Sequence, residues 1–306
     1  MFWFLDLQIW YNYDMKKILA VSGGVDSMVM LNLMLERFPV EELVVATFDH
    51  GTRESSKLDA DFVAKEVAKN AQIAPALQLQ FYRGEAALGA EISEEKAREK
   101  RYEFLRKVAF EEKGEIYTAH HLDDLVETVA INLIRGTGWR GLTVLDSTGV
   151  RRPFIDGTFG EVFDKRKILE YAVSRGVVFR QDPTNTSEKY LRNRVREKMR
   201  DLPWSMKMKI YELWQRQVEI KREIDEILEA ILPEDLKFER TWFGEMDEKV
   251  AMEILRAGLL RAGVTATRPQ IREFYQAILA YESGKKFNLP NDKLVRIGRR
   301  DFQLKV

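Results

Sequence analysis

The sequence predicts an α/β protein: a Rossmann-like parallel sheet with helices on both faces, followed by a linker helix and a small α+β domain. Three observations predict it. Apolar runs of strand length alternate with longer segments of helical periodicity through the first half of the chain. Those runs end in polar clusters, SGGVDS, DHGTR and HHLDD, where an open parallel sheet binds its ligands. After Pro233 the pattern changes to a helix and three short strands. The chain has 306 residues, more than one ordinary domain. Its natural divisions are 1–202, a linker helix over 203–232 and a C-terminal domain over 233–306.

Taken in order, KKILAV (Lys16–Val21) is a first strand that turns through SGGVDS into the helical MVMLNLMLERF. LVVATF (Leu43–Phe48) is a second strand, followed by a helix over Ser56–Asn70. A third strand is expected over Ile73–Phe81 and a long charged helix over Glu91–Phe110, its apolar side carrying Ala97, Tyr102, Leu105 and Val108. EIYTA (Glu115–Ala119) is a fourth strand, and HHLDD opens a helix to Ile134. VRRPF (Val150–Phe154) reads as a short strand, and Asp164 caps a helix to about Ser174. QDPTN (181–185) is a turn. A long helix spans Trp204–Ile231 and stops before Pro233. Thr267 and Gln270 form a capping-box pattern for a helix to about Tyr281. KKFNL, KLVRI and DFQLK close the chain as strands, with Lys293 and Val295 on one side and Leu294 and Arg296 on the other.

Composition excludes several function classes. There is no cysteine, which removes disulfides, thiolate metal clusters and cysteine nucleophiles. The 49 basic and 49 acidic side chains cancel, so the chain is not a uniformly basic nucleic-acid coat. The balance is uneven. Residues 1–185 hold 24 Lys and Arg against 29 Asp and Glu, and residues 266–306 hold 9 against 4. No apolar run is long enough to span a membrane. The oily segment 1–14 lacks the basic start and small-residue cleavage site of a signal peptide. It reads as a short packed helix with Trp3, Leu7 and Trp10 on one face. A cytoplasmic protein without a membrane partner is expected.

Ser22, Gly23, Gly24, Val25, Asp26 and Ser27 lie between strand and helix. Glycines allow a tight turn and bring backbone N–H groups close to an anion, to which the helix adds its positive end. An ordinary glycine turn fits the same letters. No lysine follows the glycines, so this is not the GxxxxGK[ST] loop. A carboxylate beside a phosphate site, here Asp26, calls for a cation, most simply Mg2+. His120, His121, Asp123, Asp124 and Glu127 gather at the same sheet edge. They form either a metal cluster or a helix cap with solvent-facing acids. The spacing argues against zinc and favours Asp124 as a Mg2+ ligand.

The motif series resembles a known family. SGGVDS is similar to the PP-loop of the N-type ATP pyrophosphatases. Together with FDHGTRESS, EEKAREKRYEFL, TAHHLDDLVETVAINLIRGTGWRGL, RRPF and DPTNTSEKYLRNRVR, it resembles the tRNA(Ile)-lysidine synthetase family in its short form, from about Lys16 to Arg200. The resemblance implies a PP-loop catalytic domain over 1–202 and a ligase that uses ATP and Mg2+. It implies ATP activation of C2 of the wobble cytidine in a tRNA(Ile) with a CAU anticodon. Attack by the ε-amine of free L-lysine then releases AMP and forms lysidine.

On that footing the loop Ser22–Ser27 wraps the triphosphate, Asp26 holds Mg2+, and Ala20, Val21 and Phe48 wall the adenine. His50 lies near the ribose or anchors its own loop. Arg98 and the set Arg192, Asn193 and Arg196 are candidates for RNA phosphate, the reacting cytidine or charge on ATP, since arginine offers fork-like bonds to phosphate. Asp123, Asp124 and Glu127 are the acids for lysine's amines. His120 or an acid is the acceptor of the amine proton. Lys285, Lys286, Lys293, Arg296, Arg299 and Arg300 offer contacts to the tRNA backbone. The C-terminal region reads alternatively as a homodimer module. Another PP-loop enzyme and an inactive RNA-binding protein are the rival readings of the whole chain.

Overall fold

A computed structural model describes residues 15–51, 54–73, 79–86, 93–180, 191–290 and 292–304. The aromatic segment 1–14, the turn at 181–185 and Thr52 and Arg53 of the DHGTR cluster lie outside the described residues. The chain divides into two compact units, Met1–Gln215 and Arg216–Val306.

The first unit runs β1 (Lys16–Ala20), α1 (Val25–Arg37), β2 (Leu43–Asp49), α2 (Glu54–Ile73), β3 (Gln80–Glu85), α3 (Glu94–Glu111), β4 (Gly114–Thr118), α4 (Leu122–Ile134), β5 (Val150–Arg151), α5 (Lys165–Arg175) and α6 (Leu191–Met199). The first part of α7 (Trp204–Ile231) completes it. The sheet order is β3-β2-β1-β4-β5, and every pairing is parallel.

Strand alternation builds both layers. Ile18, Val44, Ala46 and Ile116 pack with Tyr102, Leu105 and Val108 of α3 on one face. Leu19, Val21, Val45 and Tyr117 face the opposite way. They pack with Met30 and Met34 of α1, Val63 and Val67 of α2, Leu122 and Leu125 of α4, and Ile168 of α5. Strands buried on both faces read as continuous apolar runs, which is why β1 and β2 stand out in the sequence.

The third strand is a correction. It occupies Gln80–Glu85 rather than Ile73–Phe81, and α2 runs on to Ile73. As a sheet-edge strand it carries Arg83 and Glu85, so apolarity misplaces it. Gly84 lies where a Cβ would come 2.6 Å from the Phe104 ring and 2.7 Å from that of Phe48, so this β-edge can hold no larger residue there. The fifth strand is only Val150–Arg151, because Pro153 offers no N–H to extend it.

In the second unit, β6 (Lys237–Glu239), α8 (Arg240–Glu245), α9 (Glu248–Arg261) and α10 (Arg268–Ala280) precede β7 (Lys286–Leu289), β8 (Lys293–Arg296) and β9 (Asp301–Gln303). The three last strands do not form one sheet. β7 pairs with β8, and β9 pairs with β6, all antiparallel. Phe302 is the hub of the core, with the rings of Phe238, Phe243 and Phe274 at 5.5, 5.4 and 5.7 Å. The Arg240 guanidinium donates to the carbonyls of Ile278 (2.7 Å), Tyr281 (2.8 Å) and Gly298 (2.9 Å), gathering the open end of α10.

The hairpin has the mixed faces that the sequence predicts, with exposed Lys293 opposite Leu289 on the side of Val295. Phe287, Leu289 and Val295 face the core, while Lys286, Asn288, Leu294 and Arg296 face outward, with Lys286 directly opposite Arg296.

Candidate active site at the switch in strand order

From β1 the chain crosses to β2 on one side of the sheet, and β4 is later laid down on the other. Loops leaving the carboxyl ends of β1 and β4 therefore diverge and leave a crevice between them. That crevice receives Ser22–Ser27 and His120–Asp124.

Gly23 has φ +85°, a conformation other residues adopt only with strain, and a Cβ there would stand 3.3 Å from Phe62 Cδ1. Its carbonyl accepts from Arg180 N at 2.9 Å, and Arg180 Nε donates to Asp59 Oδ1 at 2.6 Å, so the turn is tied to α2. Gly24 is the N-cap of α1 and provides no side-chain cap. The first-turn N–H groups of α1 thus remain available to an anion. The Ser27 hydroxyl is engaged within the loop itself. Buried there, it accepts from Ser22 N (3.1 Å) and donates its single proton to Gly24 O (2.9 Å). It shapes the loop, whereas Ser22 stays exposed.

The start of α4 is closed instead. His121 Nδ1 accepts from Asp123 N (3.2 Å), and Asp124 Oδ2 accepts from His121 N (3.1 Å), a reciprocal capping box. With Nδ1 accepting, the neutral ring carries its proton on Nε2. That atom lies 3.9 Å from Asp26 Oδ1 and 3.6 Å from Asp124 Oδ2, bringing the two clusters together.

Asp123 is held rather than open. Its Oδ2 accepts from Lys165 N at 2.7 Å, and its Oδ1 lies 2.6 Å from Lys207 Nζ. Lys207 is buried and also donates to Asp164 Oδ2 at 3.2 Å, while Asp164 Oδ1 caps α5 through Lys167 N at 3.0 Å. Glu127 is likewise committed. It is buried, and its two oxygens receive Arg196 Nε (2.8 Å) and Nη2 (3.3 Å) in a fork. The bond to Glu127 raises the Arg196 pKa. Glu127, one of the acids expected for lysine's amines, here orients Arg196. Lys165 Nζ donates to Asp26 Oδ1 at 2.5 Å. Sequence reasoning missed Lys165, Lys207 and Asp164 as site residues. The cap signal of Asp164 was visible, but its pairing with Lys207, 43 residues on, and that of Lys165 with Asp26, 139 residues apart, were not.

His120 shares a hydrogen bond with Thr118 Oγ1 through Nδ1 at 2.9 Å. Desolvation pushes its pKa down to about 3; Asp124 opposes the shift, and Arg152, Arg98 and Arg101 reinforce it. Of the two expected acceptors of the amine proton, His120 or an acid, the ring is the one held neutral by its surroundings. Beside it, the guanidinium groups of Arg98 and Arg101 lie over the Tyr102 ring at 5.0 and 5.6 Å. Arg152 is buried, and burial lowers its pKa.

On the α3-facing side of the sheet, Ala20 packs against the apolar layer and Phe48 meets Phe104 at 5.5 Å and His50 at 5.0 Å. Val21, the third expected adenine wall, is buried in the opposite core. Arg192 and Asn193 lie on α6, with side chains outside the described residues. Lys285, Lys286, Lys293, Arg296, Arg299 and Arg300 are exposed and belong to the second unit.

The family profile of the PP-loop domain matches residues 7–202. The tRNA(Ile)-lysidine synthase of Enterococcus faecalis is 36% identical over 192 residues, covering 60% of this chain and 39% of that protein. The enzyme of the same name from Thermotoga maritima is 35% identical over 194 residues, covering 60% and 44%. The bifunctional protein TilS/HprT of Listeria monocytogenes is 31% identical over 239 residues, covering 73% and 35%. The chain thus spans less than half the length of these curated relatives. Among solved structures, the U34-tRNA thiolase NcsA from Methanococcus maripaludis with its [4Fe-4S] cluster superposes with a TM-score of 0.51 at 18% identity, covering 67% of this chain and 73% of that one. That likeness is one of fold. This chain has no cysteine to hold such a cluster.

Proposed function

We propose that this chain, which belongs to the PP-loop domain family, uses ATP to adenylate the wobble cytidine of a tRNA(Ile) with a CAU anticodon and then joins free L-lysine to it. The observation that carries this reading is the meeting of the Gly-rich loop and the HHLDD cluster, with Asp26 and Asp124 each within 4 Å of His121 Nε2. The similarity to tRNA(Ile)-lysidine synthases of two bacteria supports the choice of substrate.

The N–H groups opening α1 and the Ser22 hydroxyl cradle the triphosphate, and Ala20 and Phe48 flank the base. The C2 oxygen of cytidine attacks the α-phosphorus; an O–P bond forms, the α–β bridge breaks and pyrophosphate leaves. The lysine ε-amine then attacks C2, the C2–O bond breaks and AMP leaves. The amine sheds its protons in this step. Its reference pKa near 10.4 means that it arrives charged, so an acid must hold it and accept a proton. We assign that task to Asp124, which caps α4 at the crevice by accepting from His121 N, whereas Asp123 and Glu127 hold Lys207 and Arg196. Arg98 and Arg196 present guanidinium groups for phosphate or carboxylate.

The residues also suit Mg2+. Among the described residues no group of three His, Asp or Glu closes around a metal. Two carboxylates at one crevice are what Mg2+ takes when phosphate oxygens and water complete its shell. Bound there through Asp26 and Asp124, it would neutralise charge on the departing pyrophosphate.

The second unit is the candidate tRNA-backbone contact. Lys286 and Arg296 face each other across the hairpin, an unfavourable pairing of like charges that an intervening phosphate relieves. Among the described residues, no helix is long and apolar enough to cross a membrane.

One mixture tests the reading: protein, ATP, Mg2+, labelled lysine and an isoleucine tRNA with a CAU anticodon. Label enters the tRNA with AMP in equal amount, and replacing the wobble cytidine by uridine stops both. Incorporation without ATP, or incorporation of another nucleophile in place of lysine, overturns it.

A further inference from the structure

We propose that Lys165 is the phosphate-binding cation that the Gly-rich loop lacks in its own sequence. The inference rests on the reading of Ser22–Ser27 as an ATP loop and adds a residue to it. Phosphate loops that carry their own lysine place it directly after the glycines. Here Val25, Asp26 and Ser27 stand there, and the only formal charge in the loop is negative. A triphosphate arriving at this loop meets backbone N–H groups, one exposed serine and a carboxylate.

The structure supplies a positive charge from a distant part of the chain. Lys165 is the first residue of α5, and that helix packs along α1, with Tyr171 Oη donating to Asn32 Oδ1 at 2.7 Å. The Lys165 backbone is fixed without any ligand: its N–H donates to Asp123 Oδ2 at 2.7 Å, and the preceding Asp164 caps α5. The side chain reaches into the crevice and has a single partner among the contacts described. It is 43% exposed and makes its ion pair with Asp26, itself 33% exposed, at 2.5 Å.

The neighbouring cations are tied down elsewhere. Lys207 bridges two aspartates in the interior, Arg196 is forked onto Glu127, and Arg180 is bound to Asp59. Lys165 combines a pinned backbone with a partly exposed ammonium already at the mouth of the loop. A lysine is also suited to move, being a compact charge with rotatable donors on a flexible stem. Without nucleotide, Lys165 neutralises Asp26. When the triphosphate binds, the ammonium turns to the phosphates and releases Asp26 to the divalent cation that accompanies the nucleotide. The same charge then faces the pyrophosphate as it departs.

Two measurements on the full chain test this. In the wild-type protein, amine acylation of Lys165 is read by peptide mass spectrometry with Mg2+ and either ATP or AMP. ATP lowers labelling of Lys165 at least fivefold, and AMP, which lacks the β- and γ-phosphates, does not. Second, Lys165→Met weakens ATP binding at least tenfold and raises the Mg2+ concentration needed for half-maximal pyrophosphate release. Lys165→Arg, keeping the charge, recovers most of the affinity. Labelling of Lys165 that ATP leaves unchanged, or Lys165→Met binding ATP as wild type does, overturns the proposal. The ATP-loop reading itself fails separately, if the wild-type chain binds no ATP at all.

Discussion

Two helices begin at the same crevice and begin in opposite ways. α1 starts at a glycine with no side-chain cap, and its first N–H groups stay open. α4 starts at His121 inside a reciprocal capping box, with its N–H groups answered from within the chain. The difference separates two tasks. A helix end that binds an anion must keep its donors unmet until the ligand arrives. A helix end that presents side chains must hold them still, and a cap does that at a gain of about 1 kcal/mol. Hydrogen-bond satisfaction alone would cap both, so the open end is the one that marks a ligand.

The strongest way to break the comparison is to remove the charge that stands on the open helix. Asp26→Ala lowers the rate of tRNA-dependent pyrophosphate release by a factor of roughly 100 to 1,000, the scale of losing one electrostatic catalytic contact. Its thermal unfolding stays close to wild type, because Asp26 is partly exposed. A variant that releases pyrophosphate normally would remove Asp26 from the site.

The sharpest test makes α1 resemble α4. At Gly24 an added Cβ has room, its nearest neighbour being Ser22 Oγ at 3.7 Å, and φ is negative. Gly24→Asp caps the helix and gains a few tenths of a kcal/mol in stability at most. It also fills the anion site with a carboxylate, so ATP affinity falls by about tenfold or more, about 1.4 kcal/mol. Equilibrium binding and denaturant unfolding on the same variant read the two opposed effects. Loss of stability together with full ATP affinity would contradict the account of the open end.

On the α4 side the sensitive quantity is pH. His120 titrates at about 3 in the fold against 6.5 for the free side chain. Between those values the unfolded chain takes up a proton that the native ring refuses. Its contribution is therefore complete above pH 6.5 and declines as pH falls, with a slope of at most about 1.4 kcal/mol per pH unit. His120→Gln flattens that part of the urea-derived stability profile. An unchanged profile would mean that the ring is solvated. The smallest effect is that of the cap itself: Asp124→Ala opens half of the capping box and lowers unfolding stability by about 1 kcal/mol in denaturant titration. No loss of stability would show that the box is ornamental.

Much of this was legible in the residues, and the reasons for success and failure are physical. α4, α7 and α10 were placed because their ends carry chemical marks: the HHLDD cap, Pro233 and the Thr267–Gln270 pair. β3 was misplaced because an edge strand is not obliged to be apolar. α9 went unread although Asp247 caps it and Leu255 and Leu259 line its buried side. At the site, the loop, the two histidines and the acids were all recognised as one sheet edge. Their partners were not. Whether a carboxylate is free or held depends on cations such as Lys165, Lys207 and Arg196, whose pairing is decided by packing of α5, α6 and α7. Periodicity reports which side of a helix is buried, and it does not report which charge waits opposite.

Lys207 ties the crevice to the order in which the polypeptide is made. β1 is central in the sheet, yet its neighbour β4 begins at Gly114, so at ribosomal rates of about 10 residues per second the first strand waits roughly ten seconds for that partner. Asp123 and Asp164 emerge later still, and both carboxylates depend on an ammonium that follows at position 207. A nascent chain that has reached only residue 202 holds the whole sheet but lacks this counter-ion, and the buried Asp164 is left with its helix cap alone. The first unit therefore gains these ion pairs only once the opening turn of α7 has been synthesised, beyond the last residue that the family profile covers.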